Sequence, residues 1–333
     1  MTRTILILLL SAVTLILPSS ARRKNDRPKV GLVLGGGGAK GAATVGALKY
    51  IERSGIPIDY IAGTSIGAII GGLYSCGYRS EELDSMFRHQ DWLTLLSDRD
   101  TTLTRRMFAR RDGITYVFGF PVRRSSRAGK SRAVGLMYGD RVTQLLDSMT
   151  QRVDSISFDS LPIPFRCVAT DYRNRRKVVL SSGRLSQAIR ASMAIPGAFK
   201  AIEIDSVKLL DGGLVDNLPV DVVRDMGADI VIAVDLTQNK HEDEDVDRRA
   251  KRHRSRKTKN NLTRILHWAA LRPDLPVYRE NLKHVDVYIN PDLKGFSAGS
   301  FSEKKISKMI KKGEEAGAKV LKQLRRIRKR IRR

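Results

Sequence analysis

The amino-acid sequence predicts an α/β protein built on a mostly parallel sheet that is covered on both faces. Two observations carry this prediction. Short apolar runs alternate along the chain with longer stretches of helical periodicity. The runs are also apolar throughout, as strands buried on both faces are, rather than alternating apolar with polar. The 333 residues, 41% hydrophobic and 29% charged, supply a core and exclude a chiefly disordered chain. The two cysteines, Cys76 and Cys167, exclude a disulfide scaffold, and no Cys/His spacing reads as a zinc site. A formal net charge of +26 asks for an anionic partner or a solubility role.

The elements follow in order. Residues 1–21 read as a signal peptide, with Arg3 ahead of the apolar run Ile5 to Leu17, then Pro18 and the small residues Ser19, Ser20 and Ala21. The run falls short of the ~20 residues of a spanning helix. An uncleaved anchor or a buried first helix is the alternative. Export disfavours nucleic acid as the partner of the positive charge and favours anionic headgroups. After a polar segment (22–28) come a strand at Val30–Leu34, a glycine cluster and a helix from Ala39 to Ile51. A second strand spans Ile58–Ala62, and an apolar helix runs to about Tyr74. Strands are expected at Phe165–Thr170, Lys177–Leu180, Val207–Leu210, Ile230–Leu236 and Val285–Asn290, with a helix at Leu185–Met193. Two segments stand outside the core pattern: a basic, aromatic-studded insertion at 105–132 and a charged loop at 240–260. From Lys304 onward apolar residues recur at helical spacing against a face of Lys and Arg. Its inner part, to about Leu324, is expected to pack on the domain, and 325–333 to form a basic tail able to meet anionic lipid.

Three motifs carry chemistry. Gly63-Thr64-Ser65-Ile66-Gly67 is a G-x-S-x-G between strand and helix, a tight turn that lifts the Ser65 hydroxyl to the head of the helix. The same residues also suit a serine N-cap with glycines for packing. Gly35 to Gly41 (GGGGAKG) permits three readings: a dinucleotide fingerprint, a phosphate loop, or an oxyanion hole made by the N–H groups of Gly36, Gly37 and Gly38. The phosphate loop fits worst, because Gly41 follows Lys40 where Ser or Thr is needed. Asp211-Gly212-Gly213 offers a carboxylate on a glycine turn, either a base or an Asx turn. His241, His253, His267 and His284 follow Asp211, but none sits in a loop beyond a strand end, and His89 lies in the wrong order for a Ser–His–Asp triad. A Ser65–Asp211 dyad accounts for the chain with fewer assumptions.

Taken together and in this order, GGGAKG (36–41), GTSIG (63–67) and DGG (211–213) resemble the bacterial patatin-like phospholipases, with Ala191–Gly197 and the region of Asp171 as secondary blocks. The resemblance spans roughly residues 29–324. It implies a three-layer α/β/α sandwich and a secreted lipid acyl hydrolase of phospholipase A or lysophospholipase type, working through an acyl-enzyme. It implies Ser65 as nucleophile, Asp211 as base and Gly36, Gly37 and Gly38 as oxyanion donors. Lys40, Gly41, Gly63, Gly67, Gly212 and Gly213 are the supporting motif positions. No cofactor and no metal is called for. The partners implied are a lipid or phospholipid substrate and an anionic membrane, not nucleic acid. Esterase, thioesterase or acyltransferase activity on the same fold is the alternative, as is a non-catalytic lipid-binding protein. A nucleotide-dependent oxidoreductase would leave GTSIG and DGG without a use.

Overall fold

A computed structural model describes residues 27–96, 137–150, 156–237 and 261–332. The expected signal peptide, the basic insertion, the charged loop and all but two residues of the polar segment 22–28 lie outside the described residues.

Strands β1 (Val30–Leu34), β2 (Tyr60–Thr64), β4 (Phe165–Asp171), β9 (Ile230–Val234) and β10 (Val287–Ile289) run parallel. Three more complete a sheet of eight: β5 (Lys177–Leu180), β7 (Ile202–Ile204) and β8 (Val207–Asp211), all in antiparallel pairs. The order is β10-β9-β1-β2-β4-β8-β7, with β5 on the other edge of β4. A small separate ladder joins β3 (Ile156–Ser157) to β6 (Ser182–Gly183).

Alternate residues of the parallel strands feed two cores, as a sheet buried on both faces requires. Val30, Leu32 and Leu34 point into the larger one, with α1 (Gly41–Ser54), α2 (Ile66–Ser75), α3 (Ser80–His89) and α6 (Leu185–Ser192). Val33, Ala62 and Val168 point into the other, beneath α7 (Val220–Asp225) and α9 (Leu275–Lys283). The result is a three-layer α/β/α sandwich. The short helix α4 (Trp92–Leu96), α5 (Asp140–Met149) and α8 (Asn261–Ala270) add to its flanks.

The last helix, α10 (Glu303–Ile331), lies along α1 in the same direction. Small residues set the closeness of the pair. A side chain on Gly313 would run into the Ala43 carbonyl, and one on Gly46 into the Ile310 carbonyl. Leu324 and Ile331 are both buried, and the Arg328 guanidinium donates to the Ser54 carbonyl at 3.3 Å. The segment expected as a basic tail from 325 continues the same helix, and the apolar period of seven carries on to Ile331. Among the described residues no helix is long and apolar enough to cross a membrane.

Candidate active site

The register of β4 brings the motifs together. Its first half pairs with β2 as far as Thr64 opposite Val168, and its last residues pair with β8, starting at Asp211 opposite Ala169. Both partners lie on one edge of β4, because β5 occupies the other edge across residues 167–170. A parallel and an antiparallel strand thus meet end to end on consecutive β4 residues. Ser65, one residue past the end of β2, faces Asp211.

The Ser65 Oγ donates to Asp211 Oδ2 at 2.7 Å, and both residues are buried. Ser65 has φ 56° and ψ −122°, a conformation costly for a residue with a Cβ, and it makes no N-cap hydrogen bond. The hydroxyl is aimed at the carboxylate instead of at its own helix, which removes the capping reading. Gly63 and Gly67 make the turn possible, since a Cβ on either would run into backbone. Gly41 likewise lets the start of α1 press against Ile66, and Gly212 lies against the Val168 carbonyl. The other Asp211 oxygen, Oδ1, accepts the Gly213 N–H at 2.7 Å. The Asx turn is therefore real and coexists with the dyad: one oxygen fixes the carboxylate and the other meets the serine.

Burial pushes the Asp211 carboxyl up to about 6, although its bonds from Ser65 and Gly213 favour the charged form. Asp216, five residues on and also buried, is pushed up to about 7 by burial and by nearby Asp221, with Lys177 opposing.

The glycine loop narrows on inspection. The Gly36 N–H donates to the Asn217 carbonyl at 3.3 Å, so it is not the free oxyanion donor expected from the sequence. The N–H groups of Gly37 and Gly38 have no protein acceptor among the described residues, and both line the cavity that holds Ser65. Gly38 needs its positive φ of 58°, and a Cβ there would sit 2.5 Å from the Ala298 carbonyl oxygen.

Ser65 stands where two chambers join. One, of about 640 Å³, is mixed in character, its charged and polar groups coming from the glycine loop, Lys40, Asp211, Arg272, Asp274 and Lys294 beside apolar side chains such as Leu236 and Phe296. The other, of about 280 Å³, is apolar and lined by Ile66, Ile69, Trp92, Met193, Phe199 and Phe301. Gly38, Ser65, Ile195, Pro196 and Ala298 belong to both. Lys40 forms no ion pair among the described residues, and burial lowers its pKa. Arg272 is held by both oxygens of Asp274 at 2.9 and 2.8 Å.

Three polar residues hold this geometry without having been singled out as functional in the sequence. The Ser192 Oγ accepts the Ser65 N–H at 3.0 Å and donates to the Val168 carbonyl at 2.6 Å. Asn217 clamps Gly36 from both sides, its Nδ2 donating to the Gly36 carbonyl at 3.4 Å. The Thr64 Oγ1 donates to the Asp216 carbonyl at 2.9 Å, tying β2 to the loop after Asp211. Ser192 lies inside the secondary block 191–197, which was the available signal. Asp171 serves a turn, its Oδ1 accepting the Arg173 and Asn174 N–H groups. Neither His284, exposed beside Glu280, nor His89, beside Ser85, lines either chamber, and the side chain of His267 lies outside what the structure describes. His241 and His253 lie outside the described residues. Among the described residues no three or more His, Cys, Asp or Glu side chains are grouped to hold a metal ion.

Comparison with known proteins adds the family. The chain is 34% identical over 220 residues to an uncharacterized NTE family protein of Mycobacterium tuberculosis, covering 66% of this chain and 52% of that one. It is 35% identical over 221 residues to a lysophospholipase nte1 of Aspergillus niger, covering 65% of this chain and 12% of that protein. The chain thus spans about half the length of its mycobacterial relative and a small part of the fungal one. Among solved structures, VipD from Legionella pneumophila aligns with a TM-score of 0.49 at 15% identity, over 89% of this chain and 67% of that chain. The model of the patatin-like phospholipase family matches residues 32–224, more than half of the sequence. The chain therefore belongs to the patatin-like phospholipase family.

Proposed function

We propose that this protein is a lipid acyl hydrolase of phospholipase A or lysophospholipase type that works through a Ser65–Asp211 dyad. The observation that carries the reading is the 2.7 Å bond between those side chains at the junction of a mixed, charge-bearing chamber and an apolar one. The substrate to which such a junction is complementary is an ester with one apolar arm and one polar, anionic arm. Lys40 and Lys294 supply positive charge to the charge-bearing side, while the charge of Arg272 is balanced by Asp274. The apolar chamber, about 280 Å³ as bounded by the described residues, matches in character the fatty-acyl arm of such an ester.

In this mechanism Asp211 takes the Ser65 proton as Oγ attacks the ester carbonyl carbon. The Gly37 and Gly38 N–H groups and the head of α2 stabilise the oxyanion. The tetrahedral adduct collapses, the C–O bond to the alcohol breaks, and Asp211 returns the proton to the leaving oxygen. Water then attacks the acyl-serine carbonyl, giving a proton to Asp211; the C–O bond to Ser65 breaks, Asp211 passes the proton to the Ser65 Oγ, and the fatty acid leaves. A pKa near 6 leaves the carboxylate mostly ionised at neutral pH, yet more basic than an exposed aspartate. Export through the 1–21 leader and peripheral contact with an anionic membrane belong to the same proposal, because they bring the enzyme to its substrate.

The test is hydrolysis of a lysophospholipid by wild-type and Ser65→Ala protein, with a fluorophosphonate probe to mark the serine. Loss of turnover and of labelling together is the expected result. A Ser65→Ala protein with wild-type turnover refutes the dyad. Adding a free alcohol or thiol acceptor and looking for transferred acyl chain separates a hydrolase from an acyltransferase.

A further inference from the structure

Helix α10 is amphipathic in an unusually regular way. Its buried line runs through Ile306, Ile310, Gly313, Gly317, Leu324 and Ile331. Turning by about 100° per residue, the side directly opposite collects Lys304, Lys308 and Lys311 in its first half. It then collects Lys319, Lys322, Arg326 and Lys329 in its second half. All seven are exposed. They fall within about 40° of the line opposite the buried seam and extend over about 38 Å at about 1.5 Å per residue. The gap between the halves is filled by Glu315, which is bonded to Lys312 at 2.9 Å. None of the seven is in an ion pair among the described residues, although Lys311 and Lys319 do flank Glu315.

A row of like charges at spacings of three and four opposes the helix that carries it. The six small or apolar residues of the seam hold α10 against α1 regardless, so nothing in the packing calls for lysine on the outer line. The row is straight, single and at the outermost points of the helix, so all seven ammonium and guanidinium groups can touch one plane together. The match for that shape is a flat sheet of negative charge. The near end also borders the site: Lys304 is three residues beyond Phe301, which lines the apolar chamber.

We infer that the outer stripe of α10, from Lys304 to Lys329, is a docking surface for an anionic phospholipid bilayer. The choice of lipid over another polyanion rests on the acyl-hydrolase reading. The stripe itself stands on the helix geometry.

The experiment uses full-length protein carrying Ser65→Ala, so that vesicles stay intact, in sedimentation with phosphatidylcholine vesicles and with mixed phosphatidylcholine–phosphatidylglycerol vesicles. The stripe variant combines K319Q, K322Q, R326Q and K329Q. A charge-matched control combines R173Q, R176Q, K200Q and K208Q, all exposed and away from α10. The parent is expected to bind the mixed vesicles and not pure phosphatidylcholine. At roughly fivefold per cation, the stripe variant should lose about 100-fold or more in partitioning and the control much less, both with parental circular dichroism. Equal losses in the two variants, equal binding to both vesicle types, or displacement of the protein from mixed vesicles by duplex DNA would each overturn the inference. With Ser65 restored, the stripe variant should hydrolyse a soluble short-chain ester like wild type. Absence of Ser65-dependent hydrolysis with vesicle binding intact would count against the hydrolase reading and not against the stripe.

Discussion

Replacing Asp211 by asparagine should stabilise the protein while silencing it. The buried carboxyl is raised from its ordinary 3.8 to about 6, so ionising it costs more in the folded chain than in the unfolded one. Below pH 3.8 it is neutral in both states and carries no penalty. Between 3.8 and 6 the unfolded chain ionises first, and stability falls as pH rises. Above 6 both states are ionised and the penalty is complete, about 3 kcal/mol at about 1.4 kcal/mol per pH unit. At pH 5 the same linkage gives about half of that. Asparagine removes the titration but keeps the contacts: its Oδ1 can accept the Gly213 N–H and its Nδ2 can donate to the Ser65 Oγ. Urea unfolding of wild type and Asp211→Asn at pH 5 and pH 8 measures the difference. The variant should gain about 1.5 kcal/mol more at pH 8 than at pH 5, whatever constant packing difference it carries. Ester turnover should fall by about 10²–10⁴, the usual worth of a general base. A stability difference that does not change between the two pH values would mean that Asp211 bears no burial cost, and the argument for a base tuned by burial would fail.

Other consequences can be checked alongside. In wild type, kcat/KM for a soluble ester should drop tenfold per pH unit below about 6 as Asp211 takes up its proton; a profile flat to pH 4.5 would contradict this. Gly38→Ala places a Cβ 2.5 Å from the Ala298 carbonyl at a φ of 58°, and the displaced donor should cost about 10²–10³ in kcat with the helical circular dichroism signal kept. Ala198→Leu adds about three carbons of bulk to the wall of the apolar chamber and should shift the best p-nitrophenyl ester to a chain about three carbons shorter. Gly313→Ala drives a methyl into the Ala43 carbonyl and should lower unfolding free energy by about 1–3 kcal/mol, read by urea titration.

What the sequence made legible was the chemistry at the strand ends. The strand and helix boundaries around the motifs shift by only a few residues. β2 ends at Thr64 rather than Ala62, because the parallel ladder to β4 continues through Gly63 and Thr64. β5 lies where its apolar run predicts it, at Lys177–Leu180. Strand direction was not legible: a buried apolar run reads the same whether its neighbour is parallel or antiparallel, so the reversal at β8 that brings Asp211 to Ser65 had no signal in the pattern. Nor was the use of individual N–H groups. Four consecutive glycines look alike, and only the approach of Asn217 from 181 residues away sets Gly36 apart from Gly37 and Gly38. Position 325 illustrates the opposite error. The dense Arg and Lys there suggest a solvated tail, but charge density says nothing about the one residue per two turns that is buried.

The contact of α1 with α10 also bears on how the chain becomes a protein. Residues near Ala43 wait for Gly313, some 270 positions later, before their exposed flank is covered. During synthesis, at about 5–20 residues per second, that interval lasts from about 14 seconds to nearly a minute. For its whole duration the flank of α1 that α10 covers lacks that partner. That flank of α1 is therefore covered only when residues 306–331 have emerged. A ribosome stalled before them would hold a nascent chain with its catalytic motifs already made and its first helix still open to chaperones and proteases.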